Sequence, residues 1–356
     1  MIGIILPSAF FSGKRPCLFA DFNHYKDLAE QYGTDICFFS LQELKKDSPL
    51  VEALVYSPIH KQTEKKTIAL PQINLVRNTS YIRDRQIVGK IKILQNKNFY
   101  FLNLPLIEQA NKLKNCEFLQ QFSDVKEHVP ATKQLSFAHL NELINLYQKV
   151  IIKPLFGSKG RNITTIEKEA NKYRIMQTSP GNKHRNAKIS APPKVVSILD
   201  TQLKSFYDNN FPRPTSFLVQ QWIWLKNDQG LPFDLRAIVQ RNGHNKWQLT
   251  SRVARVAGEK DRITNISQGG KMVSLSELKL KKKDRAKIRA LSLKLAQCFA
   301  IIYPWSAEMG FDLALDRQGK LWYLETNFCP EKVRPETIYK IPFAYAYFLL
   351  VKQAEK

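Results

Sequence analysis

The residues best suited to chemistry are two carboxylates and an amide, Asp312, Glu325 and Asn327. Two strand-like runs flank the turn at Gln318 and Gly319, where glycine allows the positive φ of a tight hairpin. A hairpin centred between these two residues places Asp312 directly opposite Glu325, and the alternation of side chains puts Asn327 on the face of Glu325. Opposed carboxylates repel unless a cation lies between them, and oxygen ligands suit Mg²⁺. The spacing therefore predicts a Mg²⁺ site.

The other face of the same hairpin supports this register. It pairs Leu313 with Leu324 and Leu315 with Trp322, which gives an apolar surface fit for burial. The alternative is a surface hairpin whose polar residues face water. Glu308 lies just upstream, where it is either a supporting carboxylate or a plain helix-end residue.

A second candidate is an anion-binding loop that follows a buried strand. The strand brings Lys153 to its end, and Gly157 and Gly160 let backbone N–H groups approach an anion. Lys159 and Arg161 add positive charge to the loop. The spacing does not match a Walker loop, and a Gly-Ser-Lys-Gly turn is also typical of an ordinary hairpin.

Two arginine-bearing strands follow the loop. The period of two puts Asp234 and Arg236 on one face of their strand. Arg252 and Arg255 fall on opposite faces of the next strand, so only one of them can easily point into a site. Residues 264–270 then supply a flexible loop rich in hydrogen-bond donors. Each feature is weak alone, because an Asp–Arg pair on one strand face is commonly a surface salt bridge.

The elements that must position these residues alternate between strand and helix in residues 1–110. Short apolar runs predict strands at 3–6, 35–39 and 72–76, and a helical pattern covers 25–32. This alternation indicates a mostly parallel sheet.

The rest of the chain has more varied elements. Residues 111–149 are predicted to be mainly helical with a break before Pro130. A polar insertion at 182–214 contains a predicted helix over 195–207. The Lys-rich segment 279–289 begins a helix with one apolar stripe, and its cations are either solvated or contact a polyanion. The stripe consists of Leu280, Ile288, Leu291 and Leu295.

The composition indicates a strongly basic globular protein. The 356 residues are 44% hydrophobic, which excludes a disordered basic tail protein, and they carry a net charge of +24. Residues 151–300 contain 29 basic and 10 acidic residues and hold +19 of this excess. This excess of positive charge either attracts a partner rich in phosphate or carboxylate, or it belongs to lysine-rich surfaces that are only solvated.

Cysteine and histidine spacing excludes several kinds of site. The five cysteines include no C-x-x-C pair, and the six histidines have no metal-ligand spacing. No Ser-His-Asp or Cys-His set is evident in the sequence. The widely spaced cysteines favour a reducing compartment, and the apolar run at 341–351 is too short to span a bilayer. We therefore expect a cytoplasmic protein without a signal peptide or a membrane span.

Taken in order, four motifs resemble the YheC/YheD group of the ATP-grasp superfamily, a group described as endospore coat-associated. They are K-P-x-x-G-S-x-G from Lys153, F-D-x-R from Phe233, T-N-x-S-x-G-G from Thr264 and D-x12-E-T-N from Asp312. The resemblance covers nearly the whole chain.

The resemblance implies an α/β (α+β) architecture with the ATP-grasp fold. An N-terminal pre-ATP-grasp α/β domain would cover residues 1–110, and an ATP-grasp domain would cover 111–356. Within the latter, two α+β subdomains would clasp ATP: a small lid at about 130–222 and a larger Mg-binding subdomain at about 223–356.

The resemblance also implies roles for individual residues. ATP would contact a lysine before the lid, the glycine loop with its preceding strand, and a hinge whose backbone holds adenine. These residues are Lys112, Lys153, Gly157, Ser158, Lys159, Gly160, Arg161, Gln221, Trp222 and Ile223. Lys114 is an equal alternative for the first lysine. Asp312, Glu325 and Asn327 would hold Mg²⁺.

The implied chemistry is carboxylate activation by Mg-ATP. ATP would phosphorylate a substrate carboxylate, and an amine would attack the acyl phosphate to give an amide. Arg236 and Arg255 would stabilise the transferred phosphoryl group or the acyl phosphate. The N-terminal domain, which carries Arg77, Arg83 and Arg85, would help to bind substrate.

The excess positive charge favours an acidic small molecule, peptide or polymer as substrate. One alternative function is an ATP-grasp kinase of a phosphorylated or polyol substrate. Another is a nucleotide-binding structural protein associated with the spore coat. A specific nucleic-acid partner is not expected, because no recognised nucleic-acid-binding module is evident.

Overall fold

The computed structural model contains helices and strands arranged around three β-sheets. The described residues are 1–11, 18–45, 48–77, 81–157, 160–178, 193–224, 233–256, 271–274, 277–278, 280–328, 330 and 335–355. The loop predicted at 264–270 and most of the basic stretch at 183–194 lie outside them. The mixture of helices and sheets confirms the predicted α+β class.

The first sheet is mixed, with parallel strands at its centre. Its order is β4-β3-β2-β1-β5-β6, and β1 pairs in parallel with both β2 and β5. Helices α1 (Ser8–Phe11), α2 (Leu18–Tyr32) and α3 (Arg85–Asn96) belong to this part of the chain. The strands are β1 (Ile2–Ile5), β2 (Ile36–Phe39), β3 (Leu50–Ser57), β4 (Gln62–Ala69), β5 (Ile73–Val76) and β6 (Tyr100–Leu102).

The edge strand β4 is a feature that the apolar pattern did not predict. It pairs antiparallel with β3, and nearly all of its side chains are exposed. Its lysines form surface ion pairs, such as Lys65 with Glu52 at 3.0 Å. A charged edge of this kind discourages pairing with a further strand.

The second sheet is antiparallel and lies in the middle of the chain. Its order is β11-β10-β9-β8-β12-β7. The segment 195–199 is part of strand β11, so the helix predicted over 195–207 is wrong there, and the helix begins only at Leu203. The elements are α4 (Lys112–Leu119), β7 (Thr132–Gln134), α5 (Phe137–Tyr147), β8 (Lys149–Pro154), β9 (Thr164–Glu169), β10 (Lys172–Gln177), β11 (Lys194–Leu199), α6 (Leu203–Asn210) and β12 (Phe217–Gln221).

The third sheet has the order β15-β14-β13-β16-β17, and every pairing in it is antiparallel. Helix α7 packs on it and buries Ile288, Leu291 and Leu295, while Leu280 packs against the same core. The predicted apolar stripe is thus confirmed, and the described lysines at the start of α7 are exposed. The elements are β13 (Phe233–Arg241), β14 (Trp247–Val256), β15 (Lys271–Val273), α7 (Lys282–Ile302), β16 (Glu308–Leu315) and β17 (Leu321–Asn327).

The last helix, α8 (Pro335–Ala354), returns to the first sheet. Tyr339 and Phe343 are buried against α2, where both rings contact Tyr25. The C-terminal segment therefore shares a core with the N-terminal sheet, and the division at residue 110 stays a prediction. Among the described helices, none has both the length and the apolarity needed to cross a bilayer.

Candidate active site

Neighbouring strands of the third sheet bring charged residues into one row. Arg236 on β13 lies directly opposite Asp312 on β16, and Asp312 lies directly opposite Glu325 on β17. On the other side of β13, Asp234 lies opposite Arg255 of β14. Because side chains two residues apart share a face, the sheet register alone gathers these groups on one surface.

Asp312 is the centre of a buried ion-pair cluster. Arg236 donates through Nη2 to Oδ2 of Asp312 at 2.9 Å and through Nε to Oδ1. Arg255 donates through Nη2 to the same Oδ2 at 2.7 Å and through Nε to Oδ1 of Asp234 at 2.6 Å. Burial disfavours the ionised carboxylate, but the two arginines outweigh it and lower the pKa of Asp312 to about 2. The carboxylate is therefore ionised at neutral pH.

A β-bulge lies next to this cluster and alters the predicted hairpin. The pairing of Asp312 with Glu325 is as predicted, but Leu313 lies opposite Tyr323, so Leu324 is the extra residue. The two predicted apolar pairs, Leu313 with Leu324 and Leu315 with Trp322, are therefore wrong.

The turn explains the shift. Leu315 lies opposite Leu321, which centres the hairpin on Gln318 instead of between Gln318 and Gly319. Oδ1 of Asp316 accepts hydrogen bonds from the backbone N–H groups of residues 318 and 320 and holds this longer turn. The extra residue in the bulge then restores the register at the carboxylates.

Lys153 reaches the bulge from the second sheet. It lies on β8, and its Nζ donates to the carbonyl of Leu324 at 3.4 Å. Burial lowers the pKa of the Lys153 ammonium, and Glu325 only partly opposes this effect. An anion bound beside Lys153 would stabilise its charged form.

Lys112 joins the cluster from the start of α4. Asn111 caps this helix by accepting a hydrogen bond from the N–H of Lys114 at 3.1 Å. The Nζ of Lys112 donates to the carbonyl of Gly157 at 2.6 Å and lies 3.7 Å from Oε2 of Glu325. The structure thus places Lys112 beside the carboxylates, whereas Lys114 is exposed.

The glycine loop connects β8 to β9. Gly157 and Gly160 have φ of 152° and 65°, a region that favours glycine. Thr178 donates from its hydroxyl to the carbonyl of Gly160 at 2.9 Å, and Arg161 is exposed. Ser158 and Lys159, which the sequence also assigns to this loop, lie outside the described residues.

The predicted adenine hinge follows β12. Trp222 donates its backbone N–H to the carbonyl of Lys149 at 3.2 Å, and Ile223 is buried. The Lys149 ammonium lies 4.9 Å from the Trp222 ring centroid and 2.7 Å from Oε2 of Glu167. These contacts hold the indole of Trp222 after the end of the strand that Gln221 completes.

The predicted metal ligands are adjacent in the sheet. Asn327 lies opposite Gly310, two residues from the Asp312–Glu325 pair along each strand. Carboxylate and amide oxygens on one sheet face fit a Mg²⁺ ion by donor chemistry. Because both oxygens of Asp312 accept hydrogen bonds from arginines, a metal here would share this carboxylate with Arg236 and Arg255. Within the described residues, no group of three His, Cys, Asp or Glu side chains could hold a metal, so the set depends on the amide of Asn327.

One buried ion pair near the site, between Arg77 and Glu308, was not predicted from the sequence. Glu308 is the first residue of β16, not a helix-end residue, and its Oε1 accepts from Nη1 of Arg77 at 2.7 Å. Gln240 donates to its other oxygen at 3.1 Å, and Asn103 accepts from its backbone N–H at 2.9 Å. Arg77 and Glu308 are far apart in the chain, and no local pattern connects them.

Comparison with known proteins identifies the family. The profile of the family described as YheC/D like ATP-grasp matches residues 100–349, about two thirds of the chain. The chain therefore belongs to the YheC/D-like ATP-grasp family, which confirms the resemblance found in the motifs. The endospore coat-associated protein YheD of Bacillus subtilis (strain 168) is 25% identical over 349 residues, covering 93% of this chain and 72% of YheD.

Solved structures confirm the fold. The D-cycloserine synthetase DcsG matches with a TM-score of 0.52 at 9% identity, covering 100% of this chain and 99% of its own. The ATP-grasp ligase PsnB, complexed with a minimal precursor, matches with a TM-score of 0.51 at 11% identity, covering 99% and 98%. At these identities the likeness concerns the fold alone.

Proposed function

We propose that this member of the YheC/D-like family is a Mg-ATP dependent ligase that joins a carboxylate to an amine. The observation that carries the proposal is the buried cluster in which Arg236 and Arg255 converge on Asp312, directly opposite Glu325. Two lysines from other elements, Lys112 and Lys153, approach the same place. Converging cations around carboxylates are suited to binding and transferring a phosphoryl group.

The proposed reaction has two steps. A substrate carboxylate oxygen attacks the γ-phosphorus of ATP, the bond to the β-phosphate oxygen breaks, and ADP leaves. The nitrogen of an amine then attacks the carbonyl carbon of the acyl phosphate. The C–O bond to phosphate breaks, an amide forms, and the proton lost by nitrogen passes to phosphate or water. Positioning and charge neutralisation carry both steps, so no covalent enzyme nucleophile is needed.

Each charged residue has a position consistent with one part of this reaction. Lys153 and Lys112 bind the ATP phosphates together with the glycine loop, and residues 221–223 hold adenine. Arg236 and Arg255 stabilise charge on the transferred group, since guanidinium groups match phosphate oxygens in geometry. Asp312, Glu325 and Asn327 would hold Mg²⁺, which supplies neutralisation of phosphate charge when bound. The guanidinium groups keep Asp312 ionised and ready to ligate.

The substrate class and cell location are parts of the same proposal. The net charge of +24 favours an acidic amino acid, peptide or polymer. The described cysteines Cys37, Cys116 and Cys298 are free, in keeping with a cytoplasmic location. The name of YheD, an endospore coat-associated protein, supports an association with the spore coat.

ADP release tests the ligase proposal. A panel of acidic amino acids and short acidic peptides is supplied with Mg-ATP and amine donors, and products are identified by mass spectrometry. Glu325→Gln removes one carboxylate of the site and is expected to lower ADP release by about 10²- to 10³-fold. Glu127→Gln is the matched control, because that side chain is 70% exposed on a 3-10 helix and should leave turnover unchanged.

The products separate the ligase from its alternatives. An amide product with ADP and phosphate supports the ligase. A stable phosphorylated product without an amide would identify a kinase, and nucleotide that binds but is never turned over would identify a structural protein. Equal ADP release by wild type and Glu325→Gln would overturn the assignment of the site.

A further inference from the structure

An open cleft of about 610 Å³ lies between α3 and the exposed Phe156 of the glycine loop. Glu108 and Ile107, on the 3-10 helix that precedes α4, form another side of it. Its volume is in the range typical of small-molecule sites. Phe156 belongs to the motif that begins at Lys153, whereas the lining residues of α3 belong to none of the four motifs.

One face of α3 supplies most of the cleft wall. Arg85, Val88, Gly89 and Lys92 all line it, and their spacing of three, four and seven residues puts them on a single helical face. Arg83, just before the helix, adds a third cation. The wall therefore presents positive charge beside an apolar side chain.

The three cations of the cleft have no anionic partner in the described part of the chain. Arg83, Arg85 and Lys92 are exposed, and no described carboxylate forms an ion pair with any of them. The nearest acid in sequence, Asp84, caps α3 by accepting from two backbone N–H groups at 2.8 and 3.3 Å. Among the described lining residues, the cleft thus has an excess of positive charge, with Glu108 as the one carboxylate.

Gly89 indicates that the cleft is kept open. A glycine in a helix interior costs about 1 kcal/mol relative to alanine. Here no close packing requires it, because nothing lies within 4 Å of the position that a Cβ would occupy. The backbone of Gly89 instead lines the cleft, and a side chain at this position would occupy part of the cleft.

The cleft shares Phe156 with the glycine loop. Phe156 lies between Leu155 and Gly157, and the carbonyls of both neighbours accept hydrogen bonds from Lys112, at 3.1 and 2.6 Å. A ligand that contacts Phe156 therefore lies next to the loop segment that Lys112 fixes. Lys112 in turn lies 3.7 Å from Glu325.

We propose that this cleft binds the substrate of the ligase, and that the substrate segment it takes is a peptide with alternating acidic and apolar side chains. The cations of the cleft would pair with the carboxylates of the peptide, while Ile82, Val88 and Phe156 would contact its apolar side chains. Free phosphate would use the cations but not the apolar wall. This inference rests on the proposed function in calling the peptide a substrate. Binding of a peptide in the cleft can be measured without turnover.

Binding of a fluorescein-labelled Glu-Leu-Glu-Leu-Glu peptide, followed by anisotropy without ATP, tests the proposal. Gly89→Leu fills the cleft and keeps its charge, and Arg85→Glu with Lys92→Glu reverses the charge and keeps the space. Each variant is expected to bind the peptide about tenfold or more weakly. Lys283→Glu with Arg289→Glu is the matched control, because both residues are exposed on α7 and their reversal should leave binding unchanged. Circular dichroism and thermal melts check that the overall fold is unchanged in each variant.

Several results would overturn the proposal. Wild-type affinity in Gly89→Leu would show that the peptide binds elsewhere, and an equal loss in the α7 control would show a general charge effect. Displacement of the acidic peptide by inorganic tripolyphosphate at equal charge concentration would assign the cleft to phosphate. Equal affinity for a Gln-Leu-Gln-Leu-Gln peptide would show that the cleft does not recognise carboxylates.

Turnover distinguishes this inference from the proposed function. If acidic substrates give an amide product and ADP with an unchanged KM in Gly89→Leu, the ligase assignment holds and the cleft assignment fails. If the peptide binds in the cleft but no acidic substrate releases ADP, the cleft assignment holds and the ligase assignment fails. A raised KM for the acidic substrate with an unchanged KM for ATP supports both.

Discussion

Two buried carboxylates lie four residues apart on one face of β16, and they are neutralised in different ways. Glu308 pairs with one cation, Arg77 from the end of β5, and accepts a further bond from the amide of Gln240. Asp312 pairs with two cations, Arg236 and Arg255, from its own sheet. The first pair joins two sheets, whereas the second is confined to one.

The difference shows that burial of an ion pair does not by itself identify a site. Around Glu308, one cation balances one carboxylate, and the amide of Gln240 donates to the other carboxylate oxygen. Around Asp312, the cations extend to Lys112 and Lys153, and the neighbouring Glu325 side chain is 33% exposed. A buried cluster that opens to solvent through a second carboxylate can exchange a protein partner for a ligand.

The largest expected effect is on the activity of Asp312→Asn. Under the proposed function, this variant loses the carboxylate that orients two arginines, and turnover of ATP should fall about 10³-fold. The rise in Tm that Mg-ATP gives the wild type should also be lost. Steady-state ADP release and thermal melts with and without Mg-ATP measure both. The control is Asp208→Asn on α6, whose side chain is 51% exposed; a similar loss in the control would break the comparison.

The next effect is on the stability of Glu308→Gln. Arg77 would be left buried without a carboxylate, so the free energy of unfolding in urea should fall by about 3 kcal/mol. The Mg-ATP shift in Tm should survive, because this pair is not part of the ligand cluster. Glu142→Gln, which breaks the surface pair with Lys133, should lower the free energy by less than about 1 kcal/mol. Loss of the Mg-ATP shift in Glu308→Gln would remove the distinction between the two carboxylates.

The smallest effect is on the pH dependence of stability. The pKa of Asp312 is lowered in the folded protein, so its stabilisation is present above about pH 4 and is lost as pH falls towards 2. The loss should amount to about 2 kcal/mol. Urea unfolding between pH 5 and pH 3 should show about half of this loss in the wild type, and a shallower slope in Asp312→Asn. Identical slopes in the two proteins would contradict the assignment.

Local patterns predicted the elements whose side-chain periodicity is simple. The apolar stripe of α7 and the parallel strands of the first sheet follow from spacing alone. The edge strand β4 was missed because its exposed polar residues carry no alternating apolar signal. The strand β11 was missed because its apolar residues, at 195, 196, 198 and 199, have a spacing that also fits a helix. Tertiary pairing with β3 and β10 decides these two.

The hairpin of β16 and β17 marks the limit of such prediction within the site. The sequence places Asp312 opposite Glu325, and the structure has this pair, but it reaches that register through a longer turn and a bulge at Leu324. No residue pattern in the sequence predicted the bulge. Its consequence, the carbonyl offered to Lys153, became visible only with the second sheet in place.

The sequence by itself predicted the charged groups that the structure gathers around Asp312, because residue types and strand periodicity are local properties of the chain. It also determined the family, through motifs that keep their order along the chain. Only the tertiary structure decided that Lys112 and not Lys114 lies beside Glu325, and that Arg77 pairs with Glu308. These contacts depend on how three sheets pack together, and packing brings together residues that no local spacing connects.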